Sequence, residues 1–138
     1  EIVMFMYAPR LLGRFGVKTL LVVSIGLTAV RWLLLAYGVE NILYLSISQL
    51  LHAFTFGLTH AASIQFVHKH FDISRRSQGQ ALYASLSFGV GGELGTWLCG
   101  IIWGDGSGAV SAWVFAAGCA FLSMLAVLFI PKTQGKIA

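Results

Sequence analysis

The sequence predicts an all-α membrane protein with four full transmembrane helices preceded by a helix stub. Three observations carry that expectation. The 138 residues are 57% hydrophobic and only 10% charged, whereas a soluble domain carries roughly 25% charged residues. Apolar runs of about 20 residues, the length a spanning helix needs, recur along the chain. Lys and Arg gather in alternate connections between those runs. A mean hydropathy of +0.81 leaves too little polar surface to coat a globule in water.

The elements follow in order. Residues 1–8 are an apolar stub that meets Pro9, and a proline ends or kinks a helix, so the stub is expected to be the tail of an earlier span. The chain opens with Glu1 and has no basic leader, which reads as a cut through a helix and not as a signal peptide. The spans are expected at about residues 19–37, 42–67, 80–103 and 109–130. The connections between them are short and rich in turn formers.

Charge orients this arrangement. Arg10, Arg14 and Lys18 lie in the first connection; Lys69, Arg75 and Arg76 in the third; Lys132 and Lys136 in the tail. The second and fourth connections hold Glu40 and Asp105 instead. Cytoplasmic loops carry the basic excess, so loops 9–18 and 69–77 and the C-terminus are expected in the cytoplasm. Trp103 and Trp113 bracket the fourth connection as an interfacial belt would. The net charge of +4 therefore belongs to loops beside anionic lipid, and no nucleic-acid partner is expected.

Several residues do not belong in hydrocarbon. Arg31 lies well inside its span, where an arginine costs about 2.5–3.5 kcal/mol at the helix centre. It is expected to face a wet cavity or a charged partner, or else to snorkel outward past Trp32. On the next span Gln49, His52, Thr59 and Ser63 recur at helical spacing, with Thr55 and His60 on the flanks. That stripe is expected to line something aqueous, and a histidine there can exchange protons near neutral pH. Each histidine can equally be a hydrogen-bonding contact to a neighbouring helix. His68 and His70, at the edge, are expected to be solvated.

Glu93 falls inside the run Gly89–Gly95 and is expected to be a proton carrier, a partner to Arg31 or a histidine, or a neutral acid hydrogen-bonded between helices. The surrounding glycines, Gly91 and Gly95 for example, are expected to permit close helix approach. In the first connection Arg10, Gly13, Arg14, Gly16 and Lys18 are expected to serve either as plain anchoring or as a gate whose cations bind helix dipole ends in one conformation. Cys99 and Cys119 sit in apolar runs, and no disulfide framework, metal site, cofactor motif or nucleophile–base pair is legible.

Four stretches carry a family resemblance: Ala8-Pro9-Arg10-Leu11-Leu12-Gly13-Arg14-Phe15-Gly16, Val30-Arg31-Trp32, the histidine-bearing stretch Leu51 to Ala62, and Gly79-Gln80-Ala81-Leu82-Tyr83. On these residues the chain resembles the last third of the major facilitator superfamily, in the branch of phenylpropionate permease-like and oligosaccharide or nucleoside proton symporters. The resemblance implies that the stub ends helix eight and the spans are helices nine to twelve of a twelve-helix transporter. It implies a plasma (inner) membrane protein whose N-terminal helices are missing from this sequence. The implied activity is proton-coupled symport of a small organic solute, with an aromatic acid such as phenylpropionate a candidate. Arg31 and His52 match the arginine and histidine of the family's coupling centre. Thr55 stands where the glutamate would be, which leaves Glu1 or Glu93 as candidate replacements. The competing expectation, from hydropathy alone, is a small four-span structural or assembly protein without transport activity.

Overall fold

A computed structural model describes residues 2–130 of the chain, and no strand occurs among them. Glu1 and the tail that holds Lys132 and Lys136 lie outside the described residues. Six α-helices follow one another: α1 (Ile2–Phe15), α2 (Val17–Gly38), α3 (Ile42–His70), α4 (Arg76–Ala84), α5 (Gly91–Trp103) and α6 (Ala109–Leu128). Three of them, α2, α3 and α6, are long and apolar enough to cross a membrane.

The stub does not stop at Pro9. The helix continues to Phe15, because Ala8 and Leu12, one turn apart, both bury against α2 and α3 and hold the helix together across the missing N–H. The break comes at Gly16, whose φ of 75° and ψ of 161° only glycine adopts readily, and α2 begins at the next residue. The expected loop 9–18 is thus a single residue, with Arg10, Gly13 and Arg14 on α1 and Lys18 on α2.

The expected third span is also reshaped. A 3₁₀ turn, Ile73–Arg75, leads into α4, and a π-helical turn, Ser85–Val90, joins α4 to α5. Neither helix alone reaches spanning length. The Gly91 N–H bonds to the Leu86 carbonyl five residues back, the wide spacing of a π turn, in a segment whose glycines weaken an α-helix. α5 has no buried residue, and a Cβ on Gly89 or Gly95 would meet nothing within 4 Å. The close helix approach expected of these glycines is absent among the described residues.

The helix α2 is the hub. With α3 it forms a seam of small and hydroxylated residues, Ser24, Ser48, Thr55 and Ala62, each at most 2% exposed. Small side chains let helices approach in lipid, where dispersion and interhelical hydrogen bonds replace the hydrophobic effect. Leu58 and Ala62 of α3 close the core with Ala8, Leu12, Val17, Leu20 and Leu21. On its other flank α2 packs antiparallel against α6, with Met124 Sδ 3.0 Å from where a Cβ on Gly26 would lie. The outward surface is apolar, as at Met6 and Leu50, which suits contact with acyl chains or further helices.

Two polar devices close the ends. Lys18 Nζ donates to the Leu128 and Ile130 carbonyls at 2.6 and 2.5 Å, placing a cation on the negative end of α6. At the other end Asn41 caps α3 by accepting from the Leu43 N–H. Between α5 and α6 the Ser107 N–H donates to Asp105, which holds that exposed carboxyl below the usual carboxylate range. Gly108 in the same turn has no room for a Cβ, which would clash with the Ile102 carbonyl oxygen.

Candidate functional site

The polar stripe expected on α3 divides between two faces. Thr55 and Thr59 lie at the α2 seam: Thr59 Oγ1 donates to Ser24 Oγ at 2.8 Å, and Thr55 Oγ1 donates to the His52 carbonyl at 3.4 Å. Hydroxyls at such a seam satisfy themselves on the backbone or across the helix pair. Gln49 is exposed, one turn before the half-buried His52, whose ring lies 5.7 Å from that of Phe56.

The most elaborated environment belongs to His60. Its imidazole is enclosed by Phe5 from α1, Phe56 from its own helix, Tyr83 from α4 and Phe88 from the π turn, with ring centroids between 5.7 and 6.4 Å away. The Tyr83 hydroxyl lies 3.3 Å from His60 Nδ1, and Ser63 hydrogen-bonds to Tyr83 in turn. With the ring proton on Nε2, Nδ1 accepts from the Tyr83 hydroxyl; with a proton on Nδ1, the same nitrogen donates to that oxygen and the contact reverses. The four rings bring α1, α4 and the π turn together around the His60 side chain.

A groove of about 460 Å³ runs beside it between α1 and α3. Phe5, Ala8 and Leu12 form one wall, and His60, Gln65 and His68 supply the polar groups of the other. Gln65 Oε1 is enclosed and has no hydrogen-bond partner among the described residues. His68 is half-buried and not simply solvated as expected: the Gln80 amide donates to its Nε2 and ties α3 to α4. His70 is exposed, with Nδ1 2.8 Å from the Phe66 carbonyl.

Arg31 sits apart from this groove's lining. It is 7% exposed, and its guanidinium lies 3.8 Å above the Trp32 ring. Trp32 stacks on Trp113 of α6 at 5.1 Å, and Trp113 meets Trp103 edge to face at 5.6 Å. An indole face thus serves the cation where a wet cavity, a charged partner or snorkelling past Trp32 was expected, while the buried Nε has no hydrogen bond among the described residues. Glu93 is exposed on the first turn of α5 and has no ion pair among the described residues. Arg10 and Arg14 are exposed and lie over the Tyr7 and Phe15 rings. Among the described residues no group of three or more His, Cys, Asp or Glu is placed to hold a metal.

Sequence reasoning passed over Tyr83, Phe88 and Gln65 as functional positions; Lys18 was one of the three loop cations expected either to anchor or to bind helix dipole ends, and it lies on the C-terminal end of α6. His60, Ile64 and His68 follow one another at four-residue steps, and that spacing could have placed His68 on the His60 face. Nothing local signals that Phe88 turns toward α3, because the π turn that aims it is a tertiary outcome.

Comparison with known proteins places this geometry. The model of the MFS_1 like family matches residues 1–115. The maltose permease of Geobacillus stearothermophilus is 29% identical over 133 residues, covering 92% of this chain and 32% of that protein. The xanthosine permease of Escherichia coli (strain K12) is 28% identical over 104 residues, covering 73% of this chain and 25% of that protein. The chain therefore spans between a quarter and a third of the length of these curated relatives. No solved structure matches it.

Proposed function

The chain belongs to the MFS_1 like family, and from that membership we propose that it forms part of a proton-coupled symporter for a small organic solute. Membrane transport is the activity that the permease names of its relatives point to. The proposal places the chain in the plasma (inner) membrane, with residues 9–18, residues 69–77 and the C-terminus on the cytoplasmic side. It completes the transporter with N-terminal helices beyond this sequence, the two halves rocking around a central site in alternating access.

The observation that carries the coupling step is the enclosure of His60. A histidine whose Nδ1 faces Tyr83, within four aromatic rings drawn from α1, α3, α4 and the π turn, converts a proton into a rearrangement of helix contacts. In this proposal His60 and His52 relay the proton, Arg31 supplies fixed positive charge, and Gln49, Thr55 and Thr59 support the polar face of α3. Glu93 is the candidate titrating carboxylate, supplied by α5. Maltose, xanthosine and an aromatic acid such as phenylpropionate are the solutes to test.

The test uses the full-length transporter in proteoliposomes at low buffer capacity. Adding a transported solute outside is expected to raise the external pH as protons enter with it, and His60→Ala is expected to abolish that rise. Uptake of the solute without any pH change would overturn proton coupling.

A further inference from the structure

We propose that the groove between α1 and α3 is a solute subsite in which Gln65 and His68 select for hydrogen-bond donors. This inference rests on the transporter reading and adds to it a class of solute: neutral molecules with O–H or N–H groups along one edge and an apolar or ring face on the other.

The groove has the size of a small-molecule site, about 460 Å³, within the range of roughly 300–1,000 Å³ typical of ligand pockets. Its lining is mostly apolar with a few convergent polar groups, the usual composition of such sites. No Lys or Arg lines it, so it offers no fixed countercharge to a carboxylate.

The decisive feature is Gln65. Its Oε1 is enclosed without a partner among the described residues, and an unpaired buried acceptor is costly. Rotation about the last side-chain torsion, which is broad for an amide, presents that oxygen to the groove. A hydroxyl or amine on the solute then removes the cost, whereas a solute lacking a donor does not.

His68 works from the same wall. The Gln80 amide donates to its Nε2, which makes Nε2 an acceptor and leaves the proton of the neutral ring on Nδ1. The ring is thereby held in one orientation and one tautomer. Phe5 and Pro9 across the groove give the ring or carbon face of the solute a surface to lie on.

The test is solute protection against alkylation, which requires no proton movement. In the full-length transporter Cys99 and Cys119 are replaced by Ser and Ile64→Cys places a thiol in the groove wall. Alkylation by a maleimide is followed with maltose, xanthosine or phenylpropionate present. Protection by maltose or xanthosine, and not by phenylpropionate, is expected. Gln65→Leu is expected to raise the half-protecting concentration roughly ten- to a hundredfold, the effect of losing one buried acceptor. Gln65→Glu, which keeps acceptor oxygens, should retain protection and so shows that the fold tolerates change at this position. Protection by phenylpropionate alone, no protection by any of the three, or a Gln65→Leu variant that protects like its parent would overturn the proposal. Failure of proton coupling would instead appear as absent pH movement with protection intact.

Discussion

Replacing Lys18 by Met should free the last turn of α6. The ammonium donates to two carbonyls, those of Leu128 and Ile130, at 2.6 and 2.5 Å. Hydrogen bonds to a charged group contribute about 1.5–3 kcal/mol each, and a cation at a helix C-terminus adds about 0.3–1 kcal/mol. Lys18 is only half-buried and Leu128 is exposed, so solvent competes and the combined contribution falls to about 1.5–3 kcal/mol. Each 1.4 kcal/mol is about a factor of ten, so local opening should become roughly ten- to a hundredfold more frequent. The assay is hydrogen exchange of the Phe129 and Ile130 amides, which donate to the Ala126 and Val127 carbonyls at 3.1 Å. Lys18→Arg, which keeps the charge, should exchange at a rate between the two. Exchange in Lys18→Met within about twofold of the parent, an energy difference below that of one weak hydrogen bond, would refute the reasoning.

Two further outcomes are expected. Gly79→Ala places a Cβ 2.7 Å from Val67 Cγ1 and 3.0 Å from the Phe71 ring; it should destabilise by about 1–3 kcal/mol through overpacking, read as a lower melting temperature of the purified transporter. An unchanged melting temperature would mean that α3 and α4 separate at no cost. Asp105 has a folded pKa below its unfolded value because the Ser107 N–H donates to it. Its ordering of the turn should therefore be fully present above the unfolded carboxylate pKa of about 3.9 and vanish as the pH falls through the folded value. The Ser107 amide, corrected for intrinsic exchange, should thus lose protection only on strong acidification, and should lack it at pH 7 in Asp105→Ala.

Much of the helix layout was legible in the sequence. Hydropathy and length identified the cores of α2, α3 and α6, because burying about 20 apolar residues in lipid leaves few alternatives to a helix. Pro9 misled: a local rule ends the helix there, but packing of Ala8 and Leu12 overrides it and moves the break to Gly16. The π turn at Ser85–Val90 was invisible because Gly89 and the glycines that follow it read equally well as helix-packing residues. At the site, the histidines of α3 stood out against their apolar neighbours, yet their partners did not. Tyr83 meets His60 across 23 residues and Lys18 meets Ile130 across 112, distances over which periodicity carries no information. Arg31 was conspicuous by its charge, but only the packed helices reveal an indole beneath it.

Under the proposed function, Arg31 and His52 of this chain act as coupling groups of a solute–proton symporter. The most direct test of that role is accumulation of labelled maltose, xanthosine or phenylpropionate by the full-length transporter in vesicles with an imposed inward proton gradient. Accumulation above the external concentration is expected in the parent. Arg31→Ala and His52→Ala are each expected to reduce this to equilibration, with the protein still present in the membrane. Accumulation by both variants at the level of the parent would contradict that role.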